Sequence, residues 1–139
     1  MKPCEPSAWK IALVTAYMAL LAFLSLIPMH PEATQFRVLL EIKPTLQNLM
    51  HIPAYAAHTI LWIQVFTQYG RQGAARIVPA LLVSAGFGLA NEAAQSLIPG
   101  RYPGLTDALT NLLGAVLGVL VYLGIERSSP GRIRRLICT

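Results

Sequence analysis

Polar side chains that could bind a ligand or move a proton are concentrated between Asn91 and Gly118. They are Glu92, Gln95, Arg101, Asp107 and Asn111. On both sides lie apolar segments long enough to cross a bilayer, and hydrocarbon does not solvate carboxylates or amides. Because such groups are costly in these surroundings, we expect each of them to have a partner or a function. Glu92 is the strongest candidate for a function.

Several kinds of chemistry fit these residue types. Glu92 could act with His51 as an acid/base pair. The same two residues with Asp107 could hold a divalent metal ion, although no local ligand spacing supports this, and we expect neither a metal nor a cofactor. Alternatively, the set binds the polar head of a lipid-linked substrate or an amphiphilic drug without any reaction. The residue types do not decide between these, so whether the protein is an enzyme stays open.

The composition is that of a membrane protein. The chain has 139 residues, enough for one domain, with 55% hydrophobic and only 12% charged residues. Soluble domains carry about 25% charged residues. The net charge is +5, but the basic residues lie in short loops and tails without interleaved aromatics, which argues against nucleic-acid binding. Cys4 and Cys138 stand at opposite ends, so we expect free cytosolic thiols.

The hydropathy pattern predicts an all-α, integral membrane four-helix bundle in a single domain, residues 1–139. A span needs about 20 mostly apolar residues. The four that qualify are Trp9–Ile27, Met50–Tyr69, Ile77–Leu97 and Leu105–Ile125. The first is too long for a signal peptide and lacks a small-residue cleavage site, so we expect it to be retained.

The distribution of basic residues predicts the orientation of the bundle. Counting Lys and Arg by side gives eight of the 11 at the N-terminus, the 70–76 loop and the C-terminal tail. The other two loops hold Arg37, Lys43 and Arg101. Because positive residues stay inside, both termini are predicted to be cytoplasmic. Between the first two spans, Pro31 and Glu32 make a good helix start, and we expect a short helix there in the outer interface.

The alternation of spans brings the candidate residues to one end of the bundle. On each of the last three spans they also recur three and four residues apart, which places them on one helix face. These faces carry His51, Tyr55 and His58 on the second span, Gly88, Glu92 and Ser96 beside Gln95 on the third, and Asp107, Asn111, Gly114 and Gly118 on the fourth. Small residues below the polar ones favour close helix packing. The sequence therefore predicts a small polar pocket that opens to the outer side.

Each candidate also has an interpretation without function. Asp107 and the preceding threonine suit a helix start, where a carboxylate complements the helix dipole. Asn111 and Gln95 can hydrogen-bond between helices. His51 can be an interfacial histidine, and the deeper His58 fits a packing role. Arg101 can mark the membrane edge or neutralise the glutamate.

At these residues the sequence resembles the VanZ-like family of small bacterial membrane proteins. The family pattern is a His with a Tyr one turn on, a Glu with a Gln three later, a Pro-Gly-Arg loop, and Asp-x-x-x-Asn-x-x-Gly. These fall on His51 and Tyr55, Glu92 and Gln95, Pro99-Gly100-Arg101, and Asp107, Asn111 and Gly114. The chain departs from the pattern before the histidine, where the family often has Asp-Lys and this chain has Gln47 and Asn48.

The resemblance implies a multi-pass protein of the bacterial inner membrane. The family's namesake gives low-level resistance to the glycopeptide teicoplanin. Three hypotheses follow: a protein whose outer pocket engages a lipid-linked cell-wall precursor or an amphiphilic antibiotic, a small intramembrane enzyme using Glu92 and His51, and a structural subunit of a membrane complex. Membrane lipids are partners in all three, and a membrane-protein partner belongs to the last.

Overall fold

Four α-helices make up the described part of the chain. The computed structural model describes residues 7–27, 43–98 and 104–129. The helices are α1 (Ala8–Ser25), α2 (Pro44–Gln68), α3 (Ala74–Gln95) and α4 (Leu105–Ser128). No strand occurs in these ranges, so the all-α prediction is confirmed for them. The expected interfacial helix, both cysteines and Arg101 lie outside the described residues.

Three of the helices, α1, α3 and α4, are long and apolar enough to cross a membrane by length and composition. The second helix is as long as these, with 25 residues, but more polar. Its position explains the difference, because α2 packs against α1, α3 and α4, whereas α1 and α4 do not pack together within the described ranges. Polar side chains on such a central helix meet protein partners rather than lipid.

Helix α2 also begins earlier than the second span predicted from hydropathy. It starts at Pro44, six residues before Met50. A proline is well tolerated at the first helical position, because its missing N–H would have no partner there. The apolar run thus marks where the helix could enter hydrocarbon, and the helix itself extends beyond that point.

Glycines allow α2 and α4 to pack with their backbones in close contact. A Cβ added at Gly114 would lie 2.5 Å from the carbonyl oxygen of Ile52, and one at Gly118 would lie 2.5 Å from that of Ala56. Both distances are too short for real carbon atoms, so any side chain at these positions would push the helices apart. This close approach sets the position of α2 relative to the middle of α4.

Polar groups are paired at the end of the bundle where α2 ends and α3 begins. Arg76 of α3 donates from Nη2 to both carboxylate oxygens of Glu126 of α4, at 2.6 and 2.7 Å. Its Nη1 lies 3.4 Å from the hydroxyl of Tyr122. Close by in the sequence, the side chain of Gln68 accepts a hydrogen bond from the backbone N–H of Ser7 at 3.1 Å. These contacts join α3 to α4, and the start of α1 to α2, at this end.

Candidate functional site

At the opposite end of the bundle, three polar side chains form a hydrogen-bonded chain across three helices. Nδ1 of His51 on α2 lies 2.7 Å from Oδ1 of Asn111 on α4. Nδ2 of Asn111 donates to Oε1 of Glu92 on α3 at 3.3 Å. We call these three residues the polar chain. The sequence placed all three at one end, and the structure joins them side chain to side chain.

The polar chain runs from the interior of the bundle to its surface. Asn111 is 2% exposed and Glu92 is 8% exposed, whereas His51 is half-exposed. Gly88 makes room for this arrangement, because a Cβ there would lie 3.3 Å from Cβ of Asn111 and from Cε1 of Tyr55. The histidine is therefore the member of the chain that a molecule outside the bundle could meet first.

Two further hydrogen bonds connect the end of α1 to the same region. Nε2 of Gln95 donates to the backbone carbonyl of Ser25 at 3.0 Å. The hydroxyl of Ser25 donates in turn to Oδ1 of Asn91 at 2.7 Å. Gln95 thus serves here to hold α1 against α3. Neither Ser25 nor Asn91 was identified as a candidate from the sequence.

Tyr55 forms a buried wall beside the polar chain. It is 2% exposed, and its ring is nearly parallel to that of His51, with centroids 6.3 Å apart. Its hydroxyl lies near the side chains of Asn91 and Glu92. Tyr55 therefore packs against the ring of the partly buried His51 on the interior side.

His58 lies one turn deeper, among aromatic rings. It is fully buried and touches the rings of Tyr17, Tyr55 and Phe87. Its Nε2 lies 3.1 Å from the indole N–H of Trp62, which donates to it. This environment agrees with the packing role expected from the sequence.

Asp107 lies near the start of α4, away from the polar chain's hydrogen bonds. The helix begins after Gly104, and the carboxylate falls in its first turn. Asp107 is half-exposed, and the hydroxyl of Thr106 lies 3.5 Å from its Oδ1. A negative charge there complements the helix dipole. The described contacts do not connect Asp107 to Glu92 or His51.

The geometry bears on the catalytic alternatives. Within residues 7–27, 43–98 and 104–129, no three His, Cys, Asp or Glu side chains are grouped as metal ligands would be. The amide of Asn111 also stands between Glu92 and His51, so these two side chains do not share a proton directly. The arrangement instead fixes the orientation of three polar groups, which is what recognition of a polar ligand requires.

Comparison with known proteins assigns the chain to a family. The model of the VanZ/LLP1 family matches residues 10–126, which include all four helices nearly to their ends. No curated protein matches the chain, and no solved structure matches it. The chain belongs to the VanZ/LLP1 family of membrane proteins, as its sequence motifs indicated.

Proposed function

We propose that this VanZ/LLP1 protein binds the polar head of an amphiphile at the outer face of the bacterial inner membrane. In this proposal all four helices cross the membrane, both termini are cytoplasmic, and residues 1–139 act as one domain. The excess of Lys and Arg on one side supports this orientation, because positively charged loops remain in the cytoplasm. In this orientation the polar chain and Tyr55 lie at the level of the outer leaflet.

The observation that carries the proposal is the polar chain itself. It combines a carboxylate, an amide and an imidazole, each from a different helix, and it ends at a half-exposed histidine. A polar network with a purely structural role would satisfy all its hydrogen bonds inside the bundle and would not need to reach the surface. An ordered polar surface beside lipid-facing helices suits a ligand with a polar head and an apolar tail.

The ligand class follows from where such a surface would lie. Molecules with a polar head at the outer leaflet include lipid-linked intermediates of cell-envelope synthesis and amphiphilic glycopeptide antibiotics. Gln95 and Asp107 lie at the same end of the bundle, and we include them with Arg101 as candidate contacts. Resistance of the teicoplanin type would result if binding either removed the antibiotic or protected its target.

The direct test is binding by the purified protein in lipid nanodiscs. The probes are an undecaprenyl-linked cell-wall precursor and teicoplanin, compared between the wild type and Glu92→Gln. We expect the substitution to weaken binding by about tenfold or more, because hydrogen bonds to a charged group contribute about 1.5–3 kcal/mol. Ser96→Ala is the matched control: Ser96 is exposed one turn from Glu92, and among the described residues its hydroxyl bonds only to the carbonyl of Ala93 on its own helix.

Melting of the same variants separates binding from a structural role. Residues placed for function are often destabilising, so Glu92→Gln should leave the melting temperature unchanged or raise it. A large fall, together with no binding of either probe by the wild type, would contradict the proposal and favour a structural subunit. In cells, expression of the wild type but not of Glu92→Gln should raise the teicoplanin concentration needed to stop growth.

A further inference from the structure

The hydrogen bonds of Asn111 determine which of its atoms faces each neighbour. Its Nδ2 lies 3.3 Å from a carboxylate oxygen of Glu92, and its Oδ1 lies 2.7 Å from Nδ1 of His51. An amide nitrogen can only donate hydrogen bonds, so the carboxylate oxygen that faces it accepts. The reversed amide would place two acceptors together at Glu92. The carboxylate therefore holds the amide oxygen towards the histidine.

An amide oxygen facing Nδ1 determines where the imidazole proton sits. The amide oxygen accepts, so Nδ1 must carry the hydrogen, and a neutral ring then has an unprotonated Nε2. No hydrogen bond connects Nε2 to any residue that the structure describes. Since His51 is half-exposed, Nε2 is the nitrogen left to meet a ligand.

From these contacts we infer that Asn111, oriented by Glu92, is a positioning residue that fixes His51 as the Nδ1–H tautomer and so presents Nε2 as a hydrogen-bond acceptor. The ligand group at this position is then a donor, such as a sugar hydroxyl or an amide N–H. The ligand class rests on the proposed binding function, whereas the tautomer does not. Glu92 on α3 thus acts through Asn111 on the partly exposed His51, which belongs to α2.

The tautomer can be measured by ¹⁵N NMR, which distinguishes protonated from unprotonated imidazole nitrogens. The protein would be labelled at its three histidines and studied in nanodiscs at a pH where imidazole is neutral, with His51→Gln used to assign the signal. We expect the wild type to have hydrogen on Nδ1 of His51. In Glu92→Gln the new amide can donate to Asn111, so the Asn111 amide can reverse and a large fraction of Nε2–H should appear.

Ser96→Ala is the control variant for this measurement and should leave the ring signals unchanged. A merely structural role for Glu92 would change stability without moving the proton between the ring nitrogens. Either an Nε2–H tautomer in the wild type or an unchanged tautomer in a folded Glu92→Gln protein would overturn the inference.

The ligand class has its own test with two small amphiphiles. Hexyl glucoside offers hydroxyl donors, and its fully O-methylated analogue offers only acceptors. The glucoside should shift the Nε2 signal at about tenfold lower concentration than the analogue, as loss of one hydrogen bond implies. An equal or stronger effect of the analogue would overturn the donor class while leaving the proposed binding function in place, because that function fails only if the precursor and teicoplanin both fail to bind.

Discussion

Gly118→Ala should destabilise the bundle by about 1–3 kcal/mol, the usual cost of overpacking a close contact. The added methyl group would lie 2.5 Å from the carbonyl oxygen and 2.9 Å from the Cα of Ala56. These are backbone atoms, so no change of rotamer relieves the clash, and α2 must move away from α4. The melting temperature in detergent should fall accordingly.

Gly114→Ala extends this prediction to the polar chain. Its methyl group would meet the carbonyl oxygen of Ile52 at 2.5 Å, and Ile52 is the residue after His51. Moving α2 here would lengthen the contact between His51 and Asn111. We therefore expect Gly114→Ala to lower both stability and ligand binding, while Gly118→Ala acts on stability first.

The matched control for both is Gly124→Ala on the same helix. A Cβ at Gly124 would have no neighbour within 4 Å. Alanine favours helix over glycine by up to about 1 kcal/mol, so this variant should be neutral or slightly stabilising. If all three alanine variants had the same melting temperature, the close packing of α2 on α4 would not be a main source of the bundle's stability.

The helices were largely predictable because apolar run length is a local property of the sequence. The apolar runs that begin at Trp9, Ile77 and Leu105 correspond to α1, α3 and α4. The start of α2 was not predictable in the same way, since Thr45, Gln47 and Asn48 are helical here although they are polar. Hydropathy identifies the part of a helix that is apolar enough to contact lipid. It does not identify the residue at which the helical hydrogen bonds begin.

The polar chain was partly predictable from depth and helix face. Because successive spans run in opposite directions, His51, Glu92 and Asn111 were predicted to lie at one end of the bundle. The spacing of three and four residues along each helix predicted that they lie on faces turned to the bundle interior. The order of the contacts was not predictable, because which side chain stands between the other two depends on helix separation and rotation. The same depth argument applied to the first span would have included Ser25, which lies at the end of α1 nearest the polar chain and bonds to Asn91.

The ion pair between Arg76 and Glu126 was missed for a different reason. From the sequence, the basic residues at this end were interpreted only as determinants of orientation. The partners are 50 residues apart, so no local spacing connects them. They do, however, lie at the start of α3 and the end of α4, which an antiparallel pair brings to one level.

Arg76→Leu should destabilise the protein by about 2 kcal/mol. The arginine side chain is 9% exposed and that of Glu126 is 31% exposed. Breaking a fully buried pair costs about 3–5 kcal/mol, because the remaining charge has no partner, whereas exposed pairs contribute about 0–1 kcal/mol. This pair lies between the two limits. Loss of the packing of Arg76 on the ring of Tyr122 adds to the effect.

A double-mutant cycle isolates the ion pair from that packing. Arg76→Leu, Glu126→Gln and the double variant would be melted under the same conditions. We expect a coupling energy of at least about 1 kcal/mol, with the double variant more stable than the sum of the single changes predicts. Arg71→Leu is the control, because Arg71 is exposed, its guanidinium lies 5.8 Å from the ring of Phe66, and it forms no ion pair among the described residues. A coupling energy near zero would mean that Arg76 stabilises the protein through its packing on Tyr122 and not through the ion pair.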